Sequence, residues 1–89
     1  MYAVVGRSTI EDFDQARTFL REEGIPRLSQ MPGFVSGHWV RLDETTGASM
    51  VIFETEEAAR TAKERFEANP PPTVSPMNLE IGEVLEHAP

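Results

Sequence analysis

The chain has 89 residues, 39% of them hydrophobic, and sets 15 acidic side chains against 8 basic ones for a net charge of −7. A chain this short makes one domain over 1–89, and the absence of cysteine excludes disulfides, thiol nucleophiles and thiolate metal sites. The acidic balance repels phosphate backbones and anionic lipid, and the basic residues form no stripe, so neither nucleic acid nor a membrane is expected as a partner.

Tyr2–Arg7, YAVVGR, is a short β-branched run that predicts the first strand. Met1 leads almost at once into it, so no signal peptide is expected. No apolar run approaches the roughly 20 residues of a membrane span. Lack of cysteine fits a reducing compartment, and a cytoplasmic location is the expectation. Ser8 stands three residues before Glu11, the spacing of a capping box. Ile10, Phe13, Ala16 and Leu20 then recur at helical intervals. Gly24 is expected to end or break this helix, and Pro26 to lie outside its interior. A short second piece carries Leu28 and Met31 into a Pro32-Gly33 turn.

Phe34–Leu42, FVSGHWVRL, and Ala48–Glu54, ASMVIFE, predict a hairpin joined by the polar Asp43–Gly47. Thr55 is the expected N-cap of the next helix, with Glu56 and Glu57 in its first turn. Its apolar face is Ala58, Ala59, Ala62 and Phe66, and Asn69 with Pro70, Pro71 and Pro72 stops it. After a loop to Pro76, Met77–Glu86 predicts the fourth strand, with Gly82 a candidate bulge.

The order βαββαβ is the split βαβ pattern of α+β, ferredoxin-like folds: a four-stranded antiparallel sheet with two helices on one face. Pairing Leu42 with Ala48 puts Phe34, His38, Val40, Met50 and Ile52 on one face. Val35, Trp39, Arg41, Val51 and Phe53 fall on the other. If the helices cover the Val40 and Met50 face, His38 points beneath them, away from Trp39. Both faces carry large apolar groups and helices cover only one, so a homodimer packed sheet to sheet is expected.

Pro32-Gly33-Phe34 opening the second strand resembles a motif of the dimeric α/β-barrel superfamily, in its antibiotic-biosynthesis-monooxygenase-like branch. So does Val51-Ile52-Phe53-Glu54-Thr55-Glu56-Glu57-Ala58, crossing from strand to helix. The resemblance spans essentially the whole chain. It implies a cavity between sheet and helices or within the dimeric barrel, and either cofactor-independent oxygenation of aromatic polyketides or binding and degradation of haem. The haem degraders carry Asn on the first strand, Trp at the end of the third and His on the second helix. Here those positions offer Gly6 or Arg7, then Phe53, then no histidine between Glu56 and Ala68, so haem degradation by that constellation is not expected.

His38 is the one histidine inside an element, and imidazole titrates near neutrality, which makes it the candidate general base; it has no Asp, Ser or second His at a diagnostic spacing. His87 lies near the end and is expected to be exposed. Trp39 and Phe53 could stack on a planar ligand, with Arg7 and Arg41 to hold its anionic group and Asn78 and Glu80 as further polar groups on the other face. Each also has an ordinary structural role, as core aromatic, surface ion-pair partner or rim residue. No metal-ligand spacing, glycine-rich phosphate loop or nucleophile turn appears, and no cofactor is expected. Two functions are consistent with these residues. One is a cofactor-independent, monooxygenase-like protein for a small hydrophobic or aromatic molecule, with His38 or Glu80 as base. The other is a dimeric binding or structural module without catalysis.

Overall fold

The computed structural model describes residues 1–70 and 74–88, and of residues 75–77 the backbone alone. Strand β1 (Tyr2–Ile10) is followed by α1 (Phe13–Phe19), a π-helical turn (Leu20–Gly24) and α2 (Ile25–Ser29). The hairpin β2 (Phe34–Arg41) and β3 (Thr46–Phe53) comes next, then α3 (Glu56–Ala68) and β4 (Val74–Glu83). The sheet order is β2-β3-β1-β4, antiparallel throughout. This is the ferredoxin-like architecture that the element order implied.

The first helix starts later than its capping-box spacing suggested. Ser8, Thr9 and Ile10 continue β1, because Gly47, Thr46 and Val74 supply backbone partners for them. Asp12 is the N-cap instead, its carboxylate accepting from the Gln15 N–H at 3.0 Å. Ile10 therefore belongs to the strand. Gly24 does not end the helix either. The Ile25 N–H donates to the Leu20 carbonyl, one residue further back than in an α-helix. That wider turn accommodates Pro26, whose ring would press on the Glu22 carbonyl in regular α-geometry. Helical backbone thus runs unbroken from Phe13 to Ser29.

Gly33 takes a φ of 78°, and a Cβ there would stand 3.0 Å from that of Ala58. The turn thus demands glycine on two counts. Thr55 caps α3 as expected, its hydroxyl oxygen accepting from the Ala58 N–H at 3.1 Å. The helix ends before Asn69 and Pro70; Pro71 and Pro72 lie outside the described residues.

Three register details differ from the expectation. The hairpin is tighter, with Val40 rather than Leu42 opposite Ala48, because the Leu42 N–H bonds the Thr46 carbonyl at 2.9 Å and the Asp43 carboxylate ties the turn. A slip between Phe34 and Ser36 puts Phe34 opposite Phe53, on that residue's face, and leaves Val35 exposed. Gly82 pairs in register with Ala3; the irregularity on β4 falls opposite the step from Arg7 to Thr9. β4 itself begins at Val74, since the longer β1 offers it partners.

The helices cover the Trp39, Val51 and Phe53 face. Val4, Val51, Phe53 and Leu79 from the sheet meet Leu28 and the small Ala59 and Ala62 in the core. Phe53 is 0% exposed and stands edge-on to Phe34, ring centres 6.1 Å apart. The opposite face is open. There Glu80, Val5, Met50 and His38 form one row across the four strands, flanked by Gly82–Ala3–Ile52–Ser36 and by Asn78–Arg7–Ala48–Val40. His38 therefore points away from the helices, the reverse of the expectation built on a helix-covered Val40 and Met50.

Candidate functional site

The inward row Leu79–Gly6–Ser49–Trp39 has two small residues between two large ones. The Leu79 side chain folds over Gly6, where a Cβ would stand 2.5 Å from its Cδ2, and little rises from the sheet at Ser49, so the helices span a hollow above Ser49. The result is a cavity of about 570 Å³, floored by Val4, Ser49 and Val51 and roofed by Phe19, Leu20, Leu28 and Phe66. Trp39 forms one wall and Leu79 another. Gly24 of the π turn also lines it, so the irregular part of the first helix lies over the cavity.

The polar groups of the lining are Arg27, Gln30, Ser49, Arg65 and Asn69. Arg27 is engaged with Glu23 at 3.2 Å, on the solvent side. Arg65 has no ion pair among the described residues. No histidine, aspartate or glutamate is among the described residues that line the cavity. Apart from the Ser49 hydroxyl on its floor the interior is apolar and aromatic, with the cations of α2 and α3 and the amides of their C-caps, Gln30 and Asn69, also lining it. A second hollow of about 270 Å³ adjoins it, sharing Phe19, Leu20, Trp39 and Ser49. Arg41 lines this one, its guanidinium 4.5 Å from the centre of the Phe13 ring and its Nε–H donating to the Asp43 carbonyl at 3.2 Å.

The residues singled out from the sequence divide between two faces. Trp39, Phe53 and Arg41 lie on the helix side, but only Trp39 borders the main cavity; Phe53 is two rows away, sealed in the core opposite Phe34. His38, Arg7, Asn78 and Glu80 lie exposed on the open face. His38 and Trp39, neighbours in sequence, thus address opposite sides of the sheet. His87 is exposed. Sequence reasoning missed Phe19, Arg65, Phe66 and Asn69. Phe66 reads from the sequence as part of the apolar face of its helix but not of a site, and Asn69 continues the helical spacing of Ala59, Ala62 and Phe66, a face longer than the apolar stripe alone indicated. No group of three histidine, aspartate or glutamate side chains among the described residues converges as metal ligands, and no described helix is long and apolar enough to cross a membrane.

No protein-family model and no curated protein matches the sequence. Solved structures do match in fold. SnoaB, a cofactor-independent oxygenase from Streptomyces nogalater, superimposes with a TM-score of 0.70 at 16% identity, over 99% of this chain and 96% of that one. A protein of unknown function from Nitrosomonas europaea gives 0.71 at 18% identity, over 98% and 91%. A dimeric ferredoxin-like protein from an uncultured marine organism gives 0.61 at 12% identity, over 99% and 98%. At these identities the likeness is one of fold.

Proposed function

We propose that the protein is a homodimeric, monooxygenase-like protein that binds a small planar aromatic acid, a phenol or enol, in the cavity between sheet and helices. The observation that carries this reading is the cavity of about 570 Å³, large enough for a small ligand, with Trp39, Phe19 and Phe66 to stack on it and Arg27 and Arg65 at its margin. The cations favour the ligand's anion. In oxygenation without a cofactor, that anion supplies the electrons. The substrate gives up two hydrogens, one atom of dioxygen ends on its carbon, and the other leaves as water. The described lining offers no carboxylate or imidazole to take the proton, so the ligand must be acidic enough to enter ionised. His38, on the far face, is not the base of this cavity. The likeness to the oxygenase SnoaB supports the reading at the level of fold.

Trp39 is the chain's single tryptophan, so its fluorescence reports the cavity. Titration with phenolic and enolic aromatics should quench it saturably, and one or more of them should be consumed with oxygen uptake. Saturable quenching without oxygen uptake would leave a binding protein and overturn the oxygenase part. No quenching by any aromatic acid would overturn the site.

The homodimer forms through the open sheet face. Val5, Val40 and Met50 are each more than 40% exposed there, an apolar surface that a second copy would cover. The marine structure of the same fold is described as dimeric. Light scattering at micromolar concentration should give twice the chain mass.

A further inference from the structure

We infer that two copies meet on the open face with their twofold axis along the strands, so that His38 of each protomer pairs with the partner's Glu80. This rests on the homodimer proposed above and concerns how its two sheets are registered.

The argument comes from the rows of the open face. In the central row Glu80 stands on one edge strand and His38 on the other, with Val5 and Met50 between them. Both edge residues are exposed. A twofold axis along the strands, between β1 and β3, lays β2 of one copy over β4 of the other and keeps each row on itself. His38 then faces the partner's Glu80 twice per dimer, and an imidazole N–H donates to the carboxylate. Val5 faces the partner's Met50, Ile52 the partner's Ala3, and the stem of Arg7 the partner's Ala48. Ile52 and Arg7 thus each meet a small residue, which lets the two surfaces close without collision.

The alternative axis, across the strands, stacks each strand on its own copy. With that axis along the central row, Glu80 would meet the partner's Glu80 and His38 the partner's His38, with Met50 against the partner's Met50. With it between the central row and the Arg7 row, Arg7 would face the partner's Val5 and Glu80 the partner's Asn78, which leaves the Arg7 charge against an apolar group. Like charges directly opposite are unfavourable. Arg7, His38 and Glu80 are the charged or titratable side chains of these three rows. Arg7 lies one row from Glu80, on the adjacent strand. The central strands thus carry Ala3, Val5, Ala48, Met50 and Ile52 with Arg7 beside them, and the two edges carry Glu80 and His38, which are complementary to each other.

The test is a charge exchange read by sedimentation equilibrium. The parent chain must first be a dimer; a monomeric parent would overturn the homodimer and this register with it. Given a dimer, His38→Glu sets two carboxylates against each other twice and should weaken association roughly tenfold. Adding Glu80→Lys to it should restore association to near the parent value. Circular dichroism checks that each variant is folded, and both sites are exposed. A dimer indifferent to His38→Glu, or one that Glu80→Lys fails to rescue, would overturn the register while leaving the homodimer standing.

Discussion

The indole of Trp39 lies over Gly37, two residues earlier on the same strand: a Cβ on Gly37 would come within 2.6 Å of the Trp39 ring. The absence of a side chain at Gly37 therefore lets the ring lie along the sheet and form a wall of the cavity. Gly37→Ala should force the ring out of that position, at a cost of about 1–3 kcal/mol for overpacking. The emission of Trp39 should shift, and affinity for an aromatic acid should fall. An unshifted spectrum with unchanged binding would show that the ring does not depend on Gly37.

The cap of the first helix is Asp12, where the capping-box spacing of the sequence pointed to Ser8. Asp12→Ala removes the acceptor of the Gln15 N–H and should lower unfolding free energy by about 1 kcal/mol in a urea titration. Ser8→Ala, within β1, should cost clearly less. The reverse order would return the cap to Ser8.

Arginine and histidine substitutions should separate the two faces. Arg65→Ala removes a cation at the margin of the cavity and should weaken an anionic aromatic about tenfold while leaving a neutral analogue unaffected. His38→Ala, on the opposite face, should leave ligand affinity unchanged. Loss of ligand binding in the histidine variant would mean that the two faces communicate or that the ligand lies elsewhere.

Asp43 provides a pH dependence. The Thr45 N–H, at 2.9 Å, and the Thr46 N–H, at 2.7 Å, both donate to its Oδ1. Hydrogen bonds from Thr45, and then from Thr46, hold its carboxyl below the usual carboxylate value. A pKa lower in the folded than in the unfolded chain adds stability above the unfolded value, and that stability is lost as pH falls through the folded one. Asp43→Asn should therefore flatten the fall of melting temperature with acid in that range. An identical acid profile in parent and variant would show that the hairpin turn gains nothing from the charge.

The fold was legible because the elements declare themselves through short-range chemistry: the Pro32-Gly33 turn, the Thr55 cap and the alternation of β2 and β3. What misled lay in competition between local and long-range partners. Ser8 has a capping-box spacing, yet the strand pairing of β1 claims it. Pro26 reads as a helix breaker, yet a one-residue widening absorbs it. On the Trp39 side Gly6 makes room for the Leu79 side chain and Ser49 leaves the hollow, a signal present in the sequence but interpretable only once β1 and β3 are paired. Arg65 and Asn69 belong to the margin through the packing of α3, which no spacing within the helix specifies.

The widened turn also sets the rotational phase of the first helix. Ala16 and Leu28, both buried, are twelve positions apart, about a third of a turn out of step at ~3.6 residues per turn. One surplus residue in the π segment brings them back onto the same side. The irregularity works as a vernier: its local hydrogen bonding is poorer than that of an α-helix, but it aligns two half-helices with one sheet. Regular α-geometry over the same residues would swing Leu28 off the core by about 100°, carrying Arg27 and Gln30 away from the cavity they now border, whereas deleting one residue between Leu20 and Gly24 would regularise the backbone and keep them in place.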